Sequence, residues 1–272
     1  MGDSSLILQI ITASLIPAVL YLVIFKILTP YKSWNLWKSF GYMFFGICSP
    51  FLLLLSYDFF PQLGTIYQLS SVVTTQLLLM SFIQIALLEE VVKYISFIVY
   101  NKGFNKFKKD THPLSIMFYA GATSLGFAFI ENIKYGMDYG LENIYWRSVT
   151  AVLMHLSFGM MIGYWVSLSK FNFKFKLNPT NDISSVSVFE LFMKKYSKIR
   201  TVFYTIIGIF TATFFHGLYD MNFLGVYQFT RSQSEINSTW TIQLIIMVCS
   251  FYIVKKMSDH LIKLNNKNKQ IQ

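Results

Sequence analysis

Three charged residues lie inside a long apolar run of this sequence. The stretch LLEEVVKY, residues 87–94, places Glu89, Glu90 and Lys93 among leucine and valine residues. On a helix, the lysine follows the two glutamates by four and three residues, so it can reach either carboxylate. Each unpaired charge near the centre of a bilayer costs about 2.5 to 3.5 kcal/mol on insertion scales. The three residues must therefore be paired or hydrated, and a carboxylate held in this way is well placed to take and return a proton.

Further ionisable residues recur in later apolar segments. FAFIEN ends with Glu131 and Asn132, and HLSFG begins with His155. HGLYD places His216 one helical turn before Asp220, whose carboxylate could orient the imidazole and fix its tautomer. Taken singly, each segment has a structural explanation as an ion pair or as a hydrogen-bonded link between helices. Their recurrence favours one shared polar site.

The composition is that of a membrane protein. Of the 272 residues, 54% are hydrophobic and only 13% are charged, whereas soluble domains carry about 25% charged residues. A helix that crosses a bilayer needs about 20 apolar residues. Windows of that length predict an all-α membrane bundle with seven transmembrane helices, near residues 5–25, 40–57, 72–100, 114–135, 147–169, 201–222 and 240–254. We expect the first to be a true span, because it lacks the basic start and the small-residue cleavage site of a signal peptide.

The basic residues predict the orientation of the bundle. Most of the 23 Lys and Arg residues follow the first, third, fifth and seventh spans. Since cytoplasmic loops carry the excess of Lys and Arg, we expect the N-terminus outside and the C-terminus in the cytoplasm. The net charge of +10 then indicates attraction to anionic lipid at the cytoplasmic face, and no nucleic-acid partner is needed to explain it.

This topology places Glu131, His155 and His216 at a shared depth in the outer half of the membrane. Glu89 and Glu90 reach that depth if the long third helix is tilted or begins with interfacial turns.

We expect one integral-membrane domain to occupy residues 1–272, with its polar core between about 80 and 222. Residues 170–200 mix aromatic and basic side chains and are expected to lie at the cytoplasmic membrane surface. Residues 256–272 are expected to form a short basic tail. Cys48 and Cys249 lie in proposed spans without metal-ligand spacing, so they indicate neither a disulfide framework nor a metal cluster.

Three motifs, in order, carry a resemblance to a known family. EEVVK (Glu89–Lys93) resembles the EExxK motif, FAFIE (Phe127–Glu131) the FxxxE motif and HGLYD (His216–Asp220) the HxxxD motif of the PrsW family of bacterial membrane proteases. His155 is an additional histidine between them. The family is similar to the glutamate-type CAAX prenyl proteases and the bacteriocin-processing proteins. Those relatives have histidine at the position of Glu131 and asparagine at that of Asp220, which favours the PrsW branch over prenylated substrates.

The resemblance implies an enzyme of the bacterial cytoplasmic membrane that cuts a single-span membrane protein, the best-known kind of substrate being an anti-sigma factor. The residues expected to form its active site are Glu89, Glu90, Lys93, Glu131, Asn132, His155, His216 and Asp220. Either glutamate of EEVVK would activate water, with the lysine orienting it. The two histidines would position the water or the carbonyl oxygen. The aspartate would hold its histidine, and Glu131 with Asn132 would complete the pocket.

Other designs of intramembrane protease lack their motifs here. The sequence has no HExxH for zinc and no GxSG for a serine nucleophile, and the YD of residues 219–220 has no GxGD partner. We therefore expect no cofactor, although two histidines and several glutamates suit a divalent ion such as zinc. The main alternative is a proton-coupled transporter that uses the same buried Glu, His and Lys as a relay, but the chain shows no internal repeat. A retinal protein is disfavoured because the seventh span contains no lysine.

Overall fold

The computed structural model describes residues 2–28, 34–104, 112–170, 197–229 and 233–270, and their regular secondary structure is helical throughout. The helices, in chain order, are α1 (Gly2–Leu28), α2 (Leu36–Phe59), a 3₁₀ helix (Pro61–Leu69), α3 (Val73–Leu78), a π-helix (Leu79–Leu87), α4 (Leu88–Gly103), α5 (Pro113–Tyr139), α6 (Leu141–Val149), α7 (Ala151–Lys170), α8 (Ser197–Phe229) and α9 (Gln233–Gln270).

The described helices confirm an all-α membrane bundle. Six of them, α1, α2, α5, α7, α8 and α9, are long and apolar enough to cross a membrane. The predicted third span differs, because α3, the π-helix and α4 follow one another without a break over residues 73–103. Its middle stretch is π-helical and ends just before Glu89. Since π-helical turns inside helices are frequently found at functional sites, this stretch favours a functional role for the glutamates that follow it.

The predicted start of the fifth span at residue 147 is wrong. Arg147 lies in the short helix α6, and α7 begins at Ala151 after Thr150, whose φ of −119° and ψ of −80° are not helical. The side chain of Arg147 pairs with Glu131 on α5, so it belongs to an element that packs back on the preceding helix.

The last helix is longer than the predicted seventh span. Helix α9 runs from Gln233 to Gln270, so the backbone of the predicted basic tail is helical as far as residue 270. Residues 171–196, most of the predicted interfacial loop, lie outside the described residues. The orientation of the bundle and the depth of the polar residues stay predictions.

Helices α5 and α7 form the centre of the bundle. In their most apolar windows 94% and 83% of the residues are buried, against 17% to 28% in the other membrane-spanning helices. Glycines let these central helices approach their neighbours closely. A Cβ on Gly159 of α7 would lie 2.6 Å from the backbone oxygen of Ala120 on α5. Small residues of this kind are the usual contacts between packed membrane helices.

The crossing of α2 and α5 gives a testable consequence of this packing. A Cβ on Gly46 of α2 would collide with the backbone carbonyl of Thr123 on α5. Because the obstacle is backbone, we expect Gly46→Ala to destabilise the protein by about 1–3 kcal/mol. The measurement is thermal unfolding in detergent, with Gly103→Ala as control, since a Cβ there meets nothing within 4 Å. Equal melting temperatures for Gly46→Ala and the wild type would contradict the close crossing.

Candidate active site

The buried lysine of EEVVK, Lys93, lies at the centre of the predicted site. Its ammonium nitrogen Nζ is 3.2 Å from Glu89 Oε2, 2.8 Å from Glu90 Oε1 and 2.9 Å from His155 Nδ1. An ammonium has three donors and no acceptor, so these contacts use all of its hydrogens. The ring of Phe127 lies 4.1 Å from the same nitrogen and adds a cation–π contact. The charges of EEVVK are thus paired with one another inside the bundle, as their helical spacing predicts.

The lysine also determines the tautomer of His155. Because the ammonium of Lys93 can only donate, Nδ1 of the neutral imidazole accepts and the ring carries its proton on Nε2. That nitrogen lies 2.7 Å from Glu131 Oε2 and donates to it. His155 therefore connects the glutamate motif on α4 to the FxxxE motif on α5.

The second histidine, His216, contacts its predicted partner Asp220 and also a second carboxylate, that of Glu90. His216 Nδ1 lies 2.9 Å from Glu90 Oε1, whereas its Nε2 is 3.3 Å from Asp220 Oδ2 and 3.8 Å from Glu89 Oε2. Asp220 Oδ2 has no hydrogen-bond partner among the described residues. The Phe158 ring stacks on the imidazole with its centroid 4.9 Å away. Glu90 and Phe158 thus hold the ring, and Nε2 faces two carboxylates.

A cavity of about 970 Å³ opens onto part of this cluster. The predicted site residues that line it are Glu89, Glu131, His155, His216 and Asp220. The others lie behind them, where Glu90 and Asn132 are fully buried and Lys93 is 2% exposed. Most of the remaining lining is apolar or aromatic and comes from α2, α5, α6, α7, α8 and α9, and the side chain of Arg147 on α6 is part of it. A molecule in the cavity can therefore reach Glu89 but not Glu90.

Sequence reasoning missed Arg147 as a member of the cluster. Its Nη2 lies 2.6 Å from Glu131 Oε2, its Nε donates to Asn132 Oδ1 at 2.9 Å, and its guanidinium lies over the ring of Tyr135, 3.8 Å from the centroid. The sequence did contain a signal. Arg147 is one of the few basic residues that fall outside the predicted cytoplasmic segments. Because basic residues are uncommon on the outer side of the membrane, one found there is expected to have a specific local partner.

The donor set suits a divalent metal ion. Glu89, His155 and His216 each offer a ligand atom, and these atoms all lie within 4.8 Å of one another. One ring nitrogen of each histidine also hydrogen-bonds a carboxylate: His155 Nε2 bonds Glu131, and His216 Nδ1 bonds Glu90. Metal-bound histidines usually make such a bond with the nitrogen that does not bind the metal. The Lys93 ammonium, however, already contacts two of the three candidate ligands. The residues fit a metal in type, so the prediction that the site uses none stays a prediction.

Comparison with known proteins agrees with the three motifs. The model of the PrsW family of intramembrane metalloproteases matches residues 32–254. The chain belongs to the PrsW family. This confirms the resemblance drawn from EEVVK, FAFIE and HGLYD, and with the apolar helices it makes the chain an integral membrane protein.

Curated PrsW proteins are similar to part of the chain. Protease PrsW of Oceanobacillus iheyensis is 40% identical over 96 residues, which cover 35% of this chain and 43% of that protein. Protease PrsW of Geobacillus kaustophilus is 35% identical over 94 residues, 35% of this chain and 40% of the relative. The corresponding protein of Bacillus subtilis is 32% identical over 92 residues, 34% and 41% of the two chains. Each match therefore spans less than half of the relative, and no solved structure matches.

Proposed function

We propose that this PrsW-family protein is an intramembrane endopeptidase that hydrolyses a peptide bond of a single-span membrane protein. The observation that carries the proposal is the cavity, in which three carboxylates and two histidines face a space inside the helix bundle. Its volume of about 970 Å³ lies at the upper end of the range of about 300–1,000 Å³ typical of ligand pockets. The family name and the names of the relatives support the same reaction class.

In this proposal Glu89 is the general base, because it is the glutamate of EEVVK that lines the cavity. It takes a proton from the attacking water as the oxygen bonds to the carbonyl carbon. Protonated His216 donates a hydrogen bond from Nε2 to the developing oxyanion. The proton on Glu89 then passes to the amide nitrogen as the C–N bond breaks, which leaves a carboxylate and an amine. No enzyme side chain forms a covalent intermediate.

The residues behind the cavity keep these groups in place. Glu90 accepts from both Lys93 and His216, so it fixes the position of each. Lys93 balances the charge of the two carboxylates and holds His155 in one tautomer. A divalent ion held by Glu89, His155 and His216 would act as a Lewis acid on the carbonyl or the water. We favour the metal-free mechanism because the Lys93 ammonium already contacts two of the three donors that such an ion needs, Glu89 and His155.

The partners and the location follow from the same proposal. We place the protein in the bacterial cytoplasmic membrane, as the bacterial sources of its relatives support. The substrate would resemble an anti-sigma factor that is cut in regulated proteolysis. Anionic lipid would contact the basic cytoplasmic face, to which the net charge of +10 is suited.

The test is cleavage by the purified protein in lipid vesicles against a panel of single-span substrates, with the cut sites mapped by mass spectrometry. We expect cleavage in the outer half of the bilayer or just outside it, and we expect activity to survive treatment with a metal chelator. Loss with chelator that added zinc restores would assign water activation to a metal. Cuts on the cytosolic side would contradict the topology. No cleavage, together with proton-linked solute flux that depends on Glu89, would identify a transporter.

A further inference from the structure

We propose that Arg147 is a positioning residue of this active site, acting through Glu131 on the ring of His155. The inference rests on the proposed function, because its effect is a change in cleavage rate. Arg147 lies on α6, outside the three motifs, yet its guanidinium contacts Glu131 and Asn132 at the end of FAFIEN.

Two donors converge on a single carboxylate oxygen. Glu131 Oε2 accepts from Arg147 Nη2 at 2.6 Å and from His155 Nε2 at 2.7 Å. The planar guanidinium lies over the ring of Tyr135, with its central carbon 3.8 Å from the ring centroid. Because Arg147 Nε hydrogen-bonds Asn132 at the same time, the rigid guanidinium holds Nη2 in one orientation toward Glu131. The position of Oε2, and with it the orientation of the His155 ring, therefore depends on Arg147.

Burial strengthens this dependence. The Arg147 side chain is 12% exposed and that of Glu131 is 17% exposed, so water competes little for their ion pair. Glu131 lines the same cavity as Glu89 and Asp220. Without the arginine, three carboxylates would face one another there with less positive charge nearby, and Glu131 would be free to turn away from His155. An arginine that only tied α6 to α5 would change stability and leave the chemistry of His155 unchanged.

The experiment is a double-variant cycle on the full chain in vesicles, with kcat and KM measured separately. The variants are Arg147→Gln, Arg147→Lys, Glu131→Gln and the double variant Arg147→Gln/Glu131→Gln. We expect Arg147→Gln to lower kcat by about 10- to 100-fold, as loss of an orienting partner commonly does, with KM little changed. Arg147→Lys should recover part of this loss, since an ammonium can bond Glu131 but cannot also hold Asn132 in the same fork. The double variant should be no slower than Glu131→Gln alone.

Three outcomes would overturn the inference. An unchanged kcat in folded Arg147→Gln would show that the ion pair is only structural. Losses that multiply in the double variant, or a raised KM at unchanged kcat, would show that Arg147 acts on the substrate and not through Glu131. Should Arg147→Gln fail to fold, Arg147→Lys and the double variant, whose neutral amide pair leaves no lone charge, carry the same comparison. Lys255→Gln, which breaks an exposed ion pair on α9, is the control and should match the wild type.

A second readout separates this inference from the proposed function. In histidine-labelled protein, the ¹⁵N signal of His155 reports whether Nε2 carries a hydrogen-bonded proton. We expect that signal in the wild type and its loss or shift in Arg147→Gln, whether or not a substrate is cut. If the wild type cuts no substrate but the His155 signal still changes in Arg147→Gln, the proposed protease activity is contradicted and the role of Arg147 in positioning His155 is not. An active wild type whose His155 signal does not respond to Arg147→Gln would count against the inference alone.

Discussion

Replacing Glu89 with glutamine is expected to lower the rate of peptide cleavage by about 10²- to 10⁴-fold, the usual contribution of a general base. The amide keeps the size of the side chain and can still accept from Lys93, but it cannot take a proton from water. Because Glu89 is expected to act in the transition state more than in substrate binding, kcat should fall while KM changes little. Initial rates against a cleaved single-span substrate in vesicles provide the measurement.

Glu90→Gln is the matched comparison, since it changes the adjacent residue in the same way. Glu90 is fully buried and accepts from both Lys93 and His216. Its replacement should therefore lower the melting temperature more than Glu89→Gln does, and any loss of activity should accompany this loss of structure. A folded and stable Glu90→Gln that has lost more activity than Glu89→Gln would assign the role of base to Glu90.

Lys93→Met is expected to destabilise the protein by about 3–5 kcal/mol, the cost of removing one partner from a buried ion pair. The change leaves Glu89 and Glu90, which are 6% and 0% exposed, without their shared cation. It also removes the donor to His155 Nδ1. Thermal unfolding in detergent provides the measurement, with the amount of folded protein after purification as a second readout.

Two further variants test the cause of that loss. Lys255→Met removes the lysine of an ion pair whose side chains are 74% and 44% exposed, and it should change stability by less than about 1 kcal/mol. Lys93→Met combined with Glu90→Gln leaves fewer uncompensated charges, so it should be more stable than Lys93→Met alone. Wild-type stability in the single variant Lys93→Met would mean that the two glutamates do not need the lysine to remain in the bundle.

Contacts within one helix could be read from the sequence. Glu89, Glu90 and Lys93 are three and four residues apart, and the structure pairs them at 2.8 and 3.2 Å. His216 and Asp220 are likewise one turn apart, with 3.3 Å between the nearest atoms. The helical repeat alone brings such side chains together. The membrane spans were predictable for a similar reason, because the thickness of the hydrocarbon layer dictates the length of an apolar helix.

Contacts between helices could not be read in this way. The sequence predicted the contact of His216 with Asp220 but not the second contact of its ring, from Nδ1 to Glu90, which the packing of α8 against α4 provides. Arg147 was counted with the start of a span, and only the turn at Thr150 shows that it belongs to a separate short helix that reaches Glu131. Both outcomes depend on how helices distant in sequence cross, which a one-dimensional pattern does not contain.

By itself, therefore, the sequence determined the class of protein, the approximate membrane spans and the residue types of the polar site. The hydropathy of each segment and the spacing within each motif are local properties of the chain. Only the tertiary structure decided that Glu89 faces the cavity while Glu90 lies behind it, because adjacent residues of a helix point in directions about 100° apart and the surrounding helices determine which direction is open.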